Sequence, residues 1–201
     1  VDANVDDKND QDETALLLAV KHRHKDAADV LLTAGALVDA YDQQGNTALL
    51  VACDMGLVDM VRQLVSARAY AFVSNEAGQT PLTCALAKDR MDILSVLAQV
   101  QDTHGNTALS LAAQAGDVDT VKRLLSANAS VDVVNKDGKT ALQLAADNDH
   151  KAVVQLLGNV ADTDDNSAVA MAAQNGDMVL LNILIASKAA LNAHNVTGQT
   201  P

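Results

Sequence analysis

Residues 105–125 read GNTALSLAAQAGDVDTVKRLL, and the fold can be predicted from this stretch. Thr107 precedes an apolar run, where its hydroxyl can accept a backbone N–H that the first turn of a helix leaves unpaired. Gly116 follows about two helical turns later and can adopt the left-handed conformation that ends a helix. Asp119 suits the N-terminal end of a second helix, which places Leu124 on its apolar side. The stretch therefore predicts two short helices joined by a tight turn.

The same pattern recurs along the whole chain. Successive N-capping residues are separated by 33, 33, 27, 33, 27 and 33 residues, and they are Thr14, Thr47, Thr80, Thr107, Thr140, Ser167 and Thr200. Five residues after each of the first six stands an alanine: Ala19, Ala52, Ala85, Ala112, Ala145 and Ala172. Seventeen residues after each stands a leucine: Leu31, Leu64, Leu97, Leu124, Leu157 and Leu184. Two helices this short bury too little apolar area to offset their ordering entropy, so we expect an all-α solenoid in which neighbouring helix pairs share a core.

The spacing predicts one repeat array over 1–201, with partial repeats at 1–8 and 195–201. The six full repeats are 9–41, 42–74, 75–101, 102–134, 135–161 and 162–194. The two short repeats, 75–101 and 135–161, lose residues after the second helix, so their outward turn should be clipped. From Thr47 onward a long and a short repeat alternate, which gives a 60-residue double repeat. Because Thr200 and Pro201 open a further repeat, we expect the array to continue beyond this sequence.

The repeats resemble those of the ankyrin family, which open with Thr-Pro-Leu-His-x-Ala-Ala and have a Gly-Ala turn after the second helix. The best matches are GNTALLVA at 45–52, GNTALSLAA at 105–113 and AGALVD at 34–39. The family proline is mostly alanine here. The family histidine is absent, so the hydrogen bond that it usually gives to the loop must be lost or made otherwise. The residues in its place are Leu17, Leu50, Thr83, Ser110, Gln143 and Ala170.

The resemblance implies a module for protein recognition, whose partner lies against the loop tips and the exposed face of the first helices. Carried over position by position, the loop tips supply Tyr41, Asp42, Gln44, Asn46, Asn75, Glu76, Gln79, Gln101, Asp102, His104, Asn106, Asn135, Lys136, Asp137 and Lys139. The first-helix face supplies Leu50, Asp54, Thr83, Ser110, Gln114, Gln143 and Asp147. Few residues of an interface contribute most of its energy, so most of these should be ordinary surface residues. Tyr41 is the first to test, because the chain has only three aromatic side chains of the Phe and Tyr type.

The charge of the chain bears on the kind of partner. Lys and Arg total 14 against 26 Asp and Glu, which gives a net charge of −12. This opposes the neutralisation of phosphates that nucleic-acid binding needs, and favours a protein with a basic surface. No apolar segment approaches the ~20 residues that span a bilayer, so we expect no membrane insertion. The two cysteines have no metal-like spacing, which favours a reduced, cytoplasmic location.

Chemical sites are weakly supported by the sequence. His22 and His24 flank Arg23 in a turn but have no third metal ligand in register. Residues 162–166 resemble the start of a calcium loop, but Ser167 replaces the glycine and the glutamate at the twelfth place is missing. Cys53 and Cys84 occupy packing positions with no base to form a thiolate, so we expect two small buried side chains. We expect no catalytic, cofactor or metal site, and hence no enzyme.

Two other functions stay open at this point. The array could be a structural spacer or a self-assembling filament, because open-ended stacking can continue from one chain to the next. It could instead regulate an enzyme or channel domain outside this sequence. A further expectation concerns the acidic run at Asp6, Asp7, Asp10, Asp12 and Glu13, which we expect to form a solvated, extended loop.

Overall fold

The computed structural model describes residues 4–160, 168–174 and 176–186 of the 201 residues. The described residues form twelve short helices arranged as six helix pairs. The chain divides into two compact units, Val1–Asp102 and Thr103–Pro201, here called unit 1 and unit 2. The division falls beside the predicted boundary between the third and fourth repeats. Ser167, the calcium-like segment 162–166, residues 1–3 of the partial repeat at 1–8 and the whole partial repeat at 195–201 lie outside the described residues.

Unit 1 contains three helix pairs. They are α1 (Ala15–Lys21) with α2 (Lys25–Thr33), α3 (Ala48–Met55) with α4 (Val58–Ser66), and α5 (Pro81–Ala87) with α6 (Met91–Leu97). Helix α3 packs between α1 and α5, and α4 packs between α2 and α6. First helices therefore form one layer and second helices form another, as the repeat pattern predicts.

Unit 2 has the same construction. Its pairs are α7 (Ala108–Ala115) with α8 (Val118–Ser126), α9 (Ala141–Asp147) with α10 (Lys151–Gly158), and α11 (Ala168–Gln174) with α12 (Met178–Ala186). Helix α7 packs against α9, and α10 packs against both α8 and α12. The prediction of helix-turn-helix repeats is confirmed in each unit.

The predicted N-caps begin the first helices. The side-chain oxygens of Thr14, Thr47, Thr80, Thr107 and Thr140 each accept the backbone N–H three residues further on. Gly56 and Gly116 end α3 and α7 in the left-handed conformation, with φ values of 75° and 72°. The sequence therefore fixes both ends of α3 and α7, the first helices of the long repeats 42–74 and 102–134.

The core consists of the predicted alanine and leucine columns. All six alanines five residues after the N-caps are buried, and so are five of the six leucines. Leu31 is the exception, since it is only half-buried. Its helix, α2, packs on α1 and α4. The opposite end of the described chain does not show the same exposure, since Leu184 of α12 is fully buried. The leucine column is therefore buried in every described repeat after the first.

The short repeats also follow the prediction. Residues 67–80 join α4 to α5, whereas the shorter segment 98–107 joins α6 to α7. The second short repeat continues at 159–167, of which 161–167 lie outside the described residues. The first helices of the short repeats, α5 and α9, have 7 residues, against 8 in α3 and α7. The double repeat is thus visible in helix length as well as in sequence.

Within each double repeat a long side chain packs over the glycine of the preceding turn. A Cβ atom added to Gly56 would lie 2.5 Å from Cζ of Arg90, and one added to Gly116 would lie 2.6 Å from Nδ1 of His150. The Nε2 atom of His150 also lies 3.0 Å from the carbonyl oxygen of Gln114. The first-helix turn of the long repeat and the start of the second helix in the short repeat are therefore in direct contact.

The leucine column can be tested at Leu124, whose side chain has no exposed surface. We expect Leu124→Ala to lower the free energy of unfolding by about 2–5 kcal/mol, because it leaves a cavity shared with the adjacent helix pair. Lys122→Ala on the same helix replaces an exposed side chain and should change it by less than about 0.5 kcal/mol. Urea denaturation followed by circular dichroism measures both. Equal midpoints for the two variants would contradict the buried column.

Candidate partner-binding surface

Four of the described loop tips are organised by an Asn or Asp side chain that precedes the N-cap by five residues: Asn9, Asp42, Asn75 and Asn135. In unit 1, Asp42 Oδ1 accepts the backbone N–H groups of Gln44 and Asn46 at 3.0 and 2.9 Å. In unit 2, Asn135 Oδ1 accepts those of Asp137 and Lys139, both at 3.0 Å. These bonds fix the backbone of each tip in a single turn conformation.

This corrects two of the predicted partner-binding residues. Asp42 is 2% exposed and Asn135 is 9% exposed, so neither side chain is free to meet a partner. Asn75 is half-buried and performs the same task, because its Oδ1 accepts the N–H of Gln79 at 2.9 Å. The signal was present in the sequence, since an Asn or Asp stands at this offset in every repeat. A polar residue that recurs at a fixed position indicates an internal hydrogen bond more strongly than a binding surface.

Neighbouring tips are also joined to each other. In unit 1, Asn75 Nδ2 donates to Asn46 Oδ1 at 2.8 Å, and the N–H of Glu76 donates to the carbonyl of Gln44 at 3.0 Å. A Cβ atom on Gly45 would lie 3.2 Å from the Cα of Asn75. The tips of consecutive repeats therefore lie in fixed register, with glycine at the point of closest approach.

Unit 2 repeats these contacts. Asn135 Nδ2 donates to Asn106 Oδ1 at 3.0 Å, and the N–H of Lys136 donates to the carbonyl of His104 at 2.8 Å. Asn46 and Asn106 are half-buried, so their predicted role in binding is limited by these bonds. The double repeat is a structural unit at the tips as it is at the helices.

The first-helix face contains two further corrections. Leu50 and Ser110, predicted to be exposed, are 4% and 3% exposed. Both lie three residues after the N-cap, where the family histidine would stand and where the helix faces the loop. The hydroxyl of Ser110 donates to the carbonyl of Thr107 at 2.9 Å. These two side chains therefore support the loop and are not available to a partner.

The corresponding residues of the short repeats close capping boxes. Thr83 Oγ1 accepts the N–H of Thr80 at 2.7 Å, and Gln143 Oε1 accepts that of Thr140 at 3.0 Å. Thr83 is exposed and Gln143 half-buried. Both remain in part accessible to a partner.

Two surface ion pairs lie on the same face. Asp54 accepts from Lys88 at 2.7 Å in unit 1, and Asp147 accepts from Lys139 at 2.6 Å in unit 2. Gln114 is exposed beside them in unit 2. Exposed ion pairs of this kind contribute little to stability. Their charged groups can therefore exchange partners at small cost.

The exposed side chains of the tips come from positions of the turns other than the Asn or Asp that holds the backbone. Tyr41 is 59% exposed, and the ammonium of Lys8 lies 5.1 Å from its ring centroid while donating to its carbonyl at 3.2 Å. Among the remaining predicted tip residues, Asp102 is half-buried. The exposed ones are Gln44, Glu76, Gln79, Gln101, His104, Lys136, Asp137 and Lys139. These positions form the accessible part of the predicted surface.

A buried ion cluster supports the tip of the second repeat. Lys21 Nζ lies 2.6 Å from Glu13 Oε1 and 3.0 Å from Asp42 Oδ2. Asn9 Nδ2 also donates to Glu13 at 2.8 Å, and Asp6 Oδ1 accepts the N–H of Leu37 at 2.7 Å. The expectation of a solvated, extended loop at 6–13 is therefore wrong for Asp6 and Glu13. Their hydrogen bonds fold the acidic segment onto the first two repeats.

The cluster shifts the pKa values of its members. Hydrogen bonds from Lys21 and Asn9 hold the pKa of Glu13 below its usual value. Burial acts to raise the pKa of Asp42, but bonds from Asn46 and Lys21 outweigh it, and that pKa is also lowered. Burial acts to lower the pKa of Lys21, and its bonds to the two carboxylates raise it overall. All three groups are ionised near neutral pH.

The remaining candidates are not brought together into a chemical site. The rings of His22 and His24 stack with centroids 6.1 Å apart, and within the described residues no three His, Cys, Asp or Glu side chains are grouped as a metal would require. Cys53 and Cys84 are buried free thiols, as predicted, and burial raises the pKa of both. Among the described helices, none has the length and hydropathy needed to traverse a bilayer.

The close approach of the tips can be tested with two glycines of positive φ. Gly45→Ala places a Cβ against the backbone of Asn75, whereas a Cβ at Gly78 would meet no atom within 4 Å. Both changes incur the left-handed strain of about 1–2 kcal/mol. We expect Gly45→Ala to lower the melting temperature further than Gly78→Ala. Identical melting temperatures would show that the tips are not in tight register.

The ion cluster makes stability depend on pH in a defined direction. Because the pKa values of Glu13 and Asp42 are lowered on folding, their contribution is present above the unfolded values of 4.5 and 3.8 and is lost as the pH falls below them. Lys21→Met should therefore reduce the unfolding free energy at pH 7 and much less at pH 3. Lys25→Met, which alters a weak exposed pair at 4.0 Å, is the control. A gap between wild type and Lys21→Met that stays constant with pH would contradict the cluster.

Comparison with known proteins agrees with this architecture. A family model described as ankyrin repeats (3 copies) matches residues 1–75, 39–102, 68–135 and 96–166. Palmitoyltransferase ZDHHC13 of Homo sapiens and that of Pongo abelii are each 38% identical over 58 residues, which is 29% of this chain. The chain spans only 9% of the length of these curated relatives. Capped helix pairs, buried alanine seams and a family match over more than half of its length show that the chain belongs to the ankyrin repeat family.

Proposed function

We propose that this chain is a non-enzymatic protein-interaction module, whose partner lies against the exposed loop tips and the first-helix face. The observation that supports this most is the rigidity of the tips. Buried Asp42 and Asn135 fix the turn backbones, while neighbours such as Gln44 and Lys136 point to solvent. A surface that is ordered before binding loses little conformational entropy when the partner arrives.

The charge distribution indicates what kind of partner fits. Residues 1–102 contain 16 acidic and 8 basic side chains. The tip of the first short repeat presents Glu76, whereas the equivalent position in the second short repeat is Lys136. We therefore propose a protein partner with a basic patch that meets unit 1, and association that slows as salt concentration rises. A cytoplasmic location is part of this proposal.

The similarity to ZDHHC13 suggests a setting for such a module. The 58 matching residues make up 9% of that palmitoyltransferase. By analogy, the present repeats could select or hold a protein for an attached catalytic or channel domain. In such a protein the repeats would use the same binding surface as an isolated scaffold. The difference would be the catalytic or channel domain attached to them.

Self-assembly is the alternative, in which repeats stack from one chain to the next. It is supported by exposed apolar side chains on α12, where Met178 and Val179 are 62% and 70% exposed. Light scattering after size-exclusion chromatography separates the two functions. A monomer over a wide concentration range supports the interaction module, and a polymer that forms without any partner supports a filament.

The tip surface can be tested at Tyr41. We expect Tyr41→Ala to weaken binding of a protein captured by the wild-type chain about tenfold, because an exposed aromatic anchor supplies on the order of 1–2 kcal/mol at an interface. The melting temperature should change little, since the ring is mostly exposed. Val30→Ala removes another exposed apolar side chain, on α2, and serves as the control. Isothermal titration that gives one dissociation constant for all three proteins would exclude Tyr41 from the interface.

A further inference from the structure

A second concave site lies in unit 1, where the residues that follow α4 meet those that follow α6. We call it the notch. It has a volume of about 360 Å³, near the lower end of the range for ligand pockets. Its lining residues are Val65, Arg68, Ala69, Tyr70, Ala71, Gln99, Val100 and Gln101. Gln101, predicted as a tip residue, belongs to this cavity as well.

The notch results from the clipped connection of the first short repeat. In the preceding repeats, each turn after the second helix is joined to the next by an aspartate. Asp6 accepts the N–H of Leu37 at 2.7 Å, and Asp39 accepts that of Tyr70 at 2.8 Å. The residue that corresponds to Asp6 and Asp39 in the next repeat is Phe72, and the short repeat has no turn after its second helix that could bond to it. The series of linked turns therefore ends at this repeat, and the cavity lies where the next turn would be.

The chemistry of the notch is mixed. Val65, Val100 and the ring of Tyr70 supply apolar surface, and Phe72 supports that ring edge-to-face at a centroid distance of 6.4 Å. Tyr70 and Phe72 are two of the three Tyr and Phe residues in the chain. The cavity therefore concentrates the aromatic surface of the protein in one place.

The charged residue of the notch is Arg68. Its side chain is exposed, it stands at a φ of 65°, and it has no ion pair with any described residue. Acidic side chains outnumber basic ones two to one in unit 1, so this guanidinium beside an apolar cavity is opposite in sign to the net charge of the unit. A carboxylate is the group that guanidinium binds best, through two parallel hydrogen bonds.

We propose that the notch binds an extended segment of a partner protein in which an aliphatic side chain stands next to a carboxylate. The aliphatic group enters the cavity between Val65, Tyr70 and Val100, and the carboxylate pairs with Arg68. The segment takes the place of the turn that the short repeat lacks. This site is distinct from the tip surface and would give a partner a second point of attachment.

A peptide titration of the full chain tests the proposal. The probe is acetyl-Gly-Ser-Leu-Asp-Ser-Gly-amide, added to the ¹⁵N-labelled protein, with the Asn analogue of its Asp as the matched peptide. We expect saturable shifts of the amides at 65–71 and 99–101, and binding of the Asp peptide about tenfold tighter than that of the Asn peptide. Arg68→Ala should remove this preference, whereas Arg62→Ala, an exposed arginine of α4 that does not line the notch, should keep it.

A filling variant addresses the apolar half of the site. Val100→Trp should occupy the cavity and abolish the peptide-induced shifts while the circular dichroism spectrum is retained. Equal binding of both peptides, a preference that survives in Arg68→Ala, or shifts confined to the loop tips would overturn the proposal. So would dimerisation in light scattering that Val100→Trp abolishes, because the occupant would then be a second copy. None of these outcomes bears on the role of Tyr41, so the tip surface is tested separately.

Discussion

The whole structure depends on one constraint, which is that no helix pair has enough apolar surface to be stable alone. Helices of 7 to 9 residues must share their buried side chains with the pairs beside them. Alanine at the crossing points allows the backbones to approach, and leucine fills the space between the layers. Leu31 of the first repeat is half-buried, whereas the other five leucines of its column are buried. Stability and shape are therefore properties of adjacent pairs and not of single repeats.

The same coupling organises the surface. Side chains of the loop tips divide into those that hold the turn and those that face solvent, and the two kinds lie within a few residues of each other. Asp42 holds the turn, bonded to Lys21, Gln44 and Asn46, while Gln44 is exposed. Substitutions at the exposed positions can therefore change the chemistry of this surface without disturbing the buried hydrogen bonds.

Much of the fold was predictable because its signals are local and repeated. Thr107 and Gly116 mark the ends of a helix by their own chemistry, and the alanine and leucine columns were confirmed with Leu31 as the exception. The surface was harder to predict, since Asp42, Leu50 and Ser110 were assigned to it and are buried. Their burial depends on loop-to-helix packing, which spacing does not encode. The pairing of Glu13 with Lys21 was missed for a similar reason, because the acidic run resembles solvated loop in composition alone.

The glycine contacts of the double repeat have a consequence for redesign. Gly56 faces Arg90 and Gly116 faces His150, so the long repeats 42–74 and 102–134 are each matched to the short repeat that follows. The natural cassette for grafting or excision is therefore the 60-residue pair and not the single repeat. Cutting between the two members would leave Arg90 or His150 without the glycine recess that it occupies, whereas cutting between pairs keeps these two contacts intact. A library of altered lengths should be assembled from whole pairs.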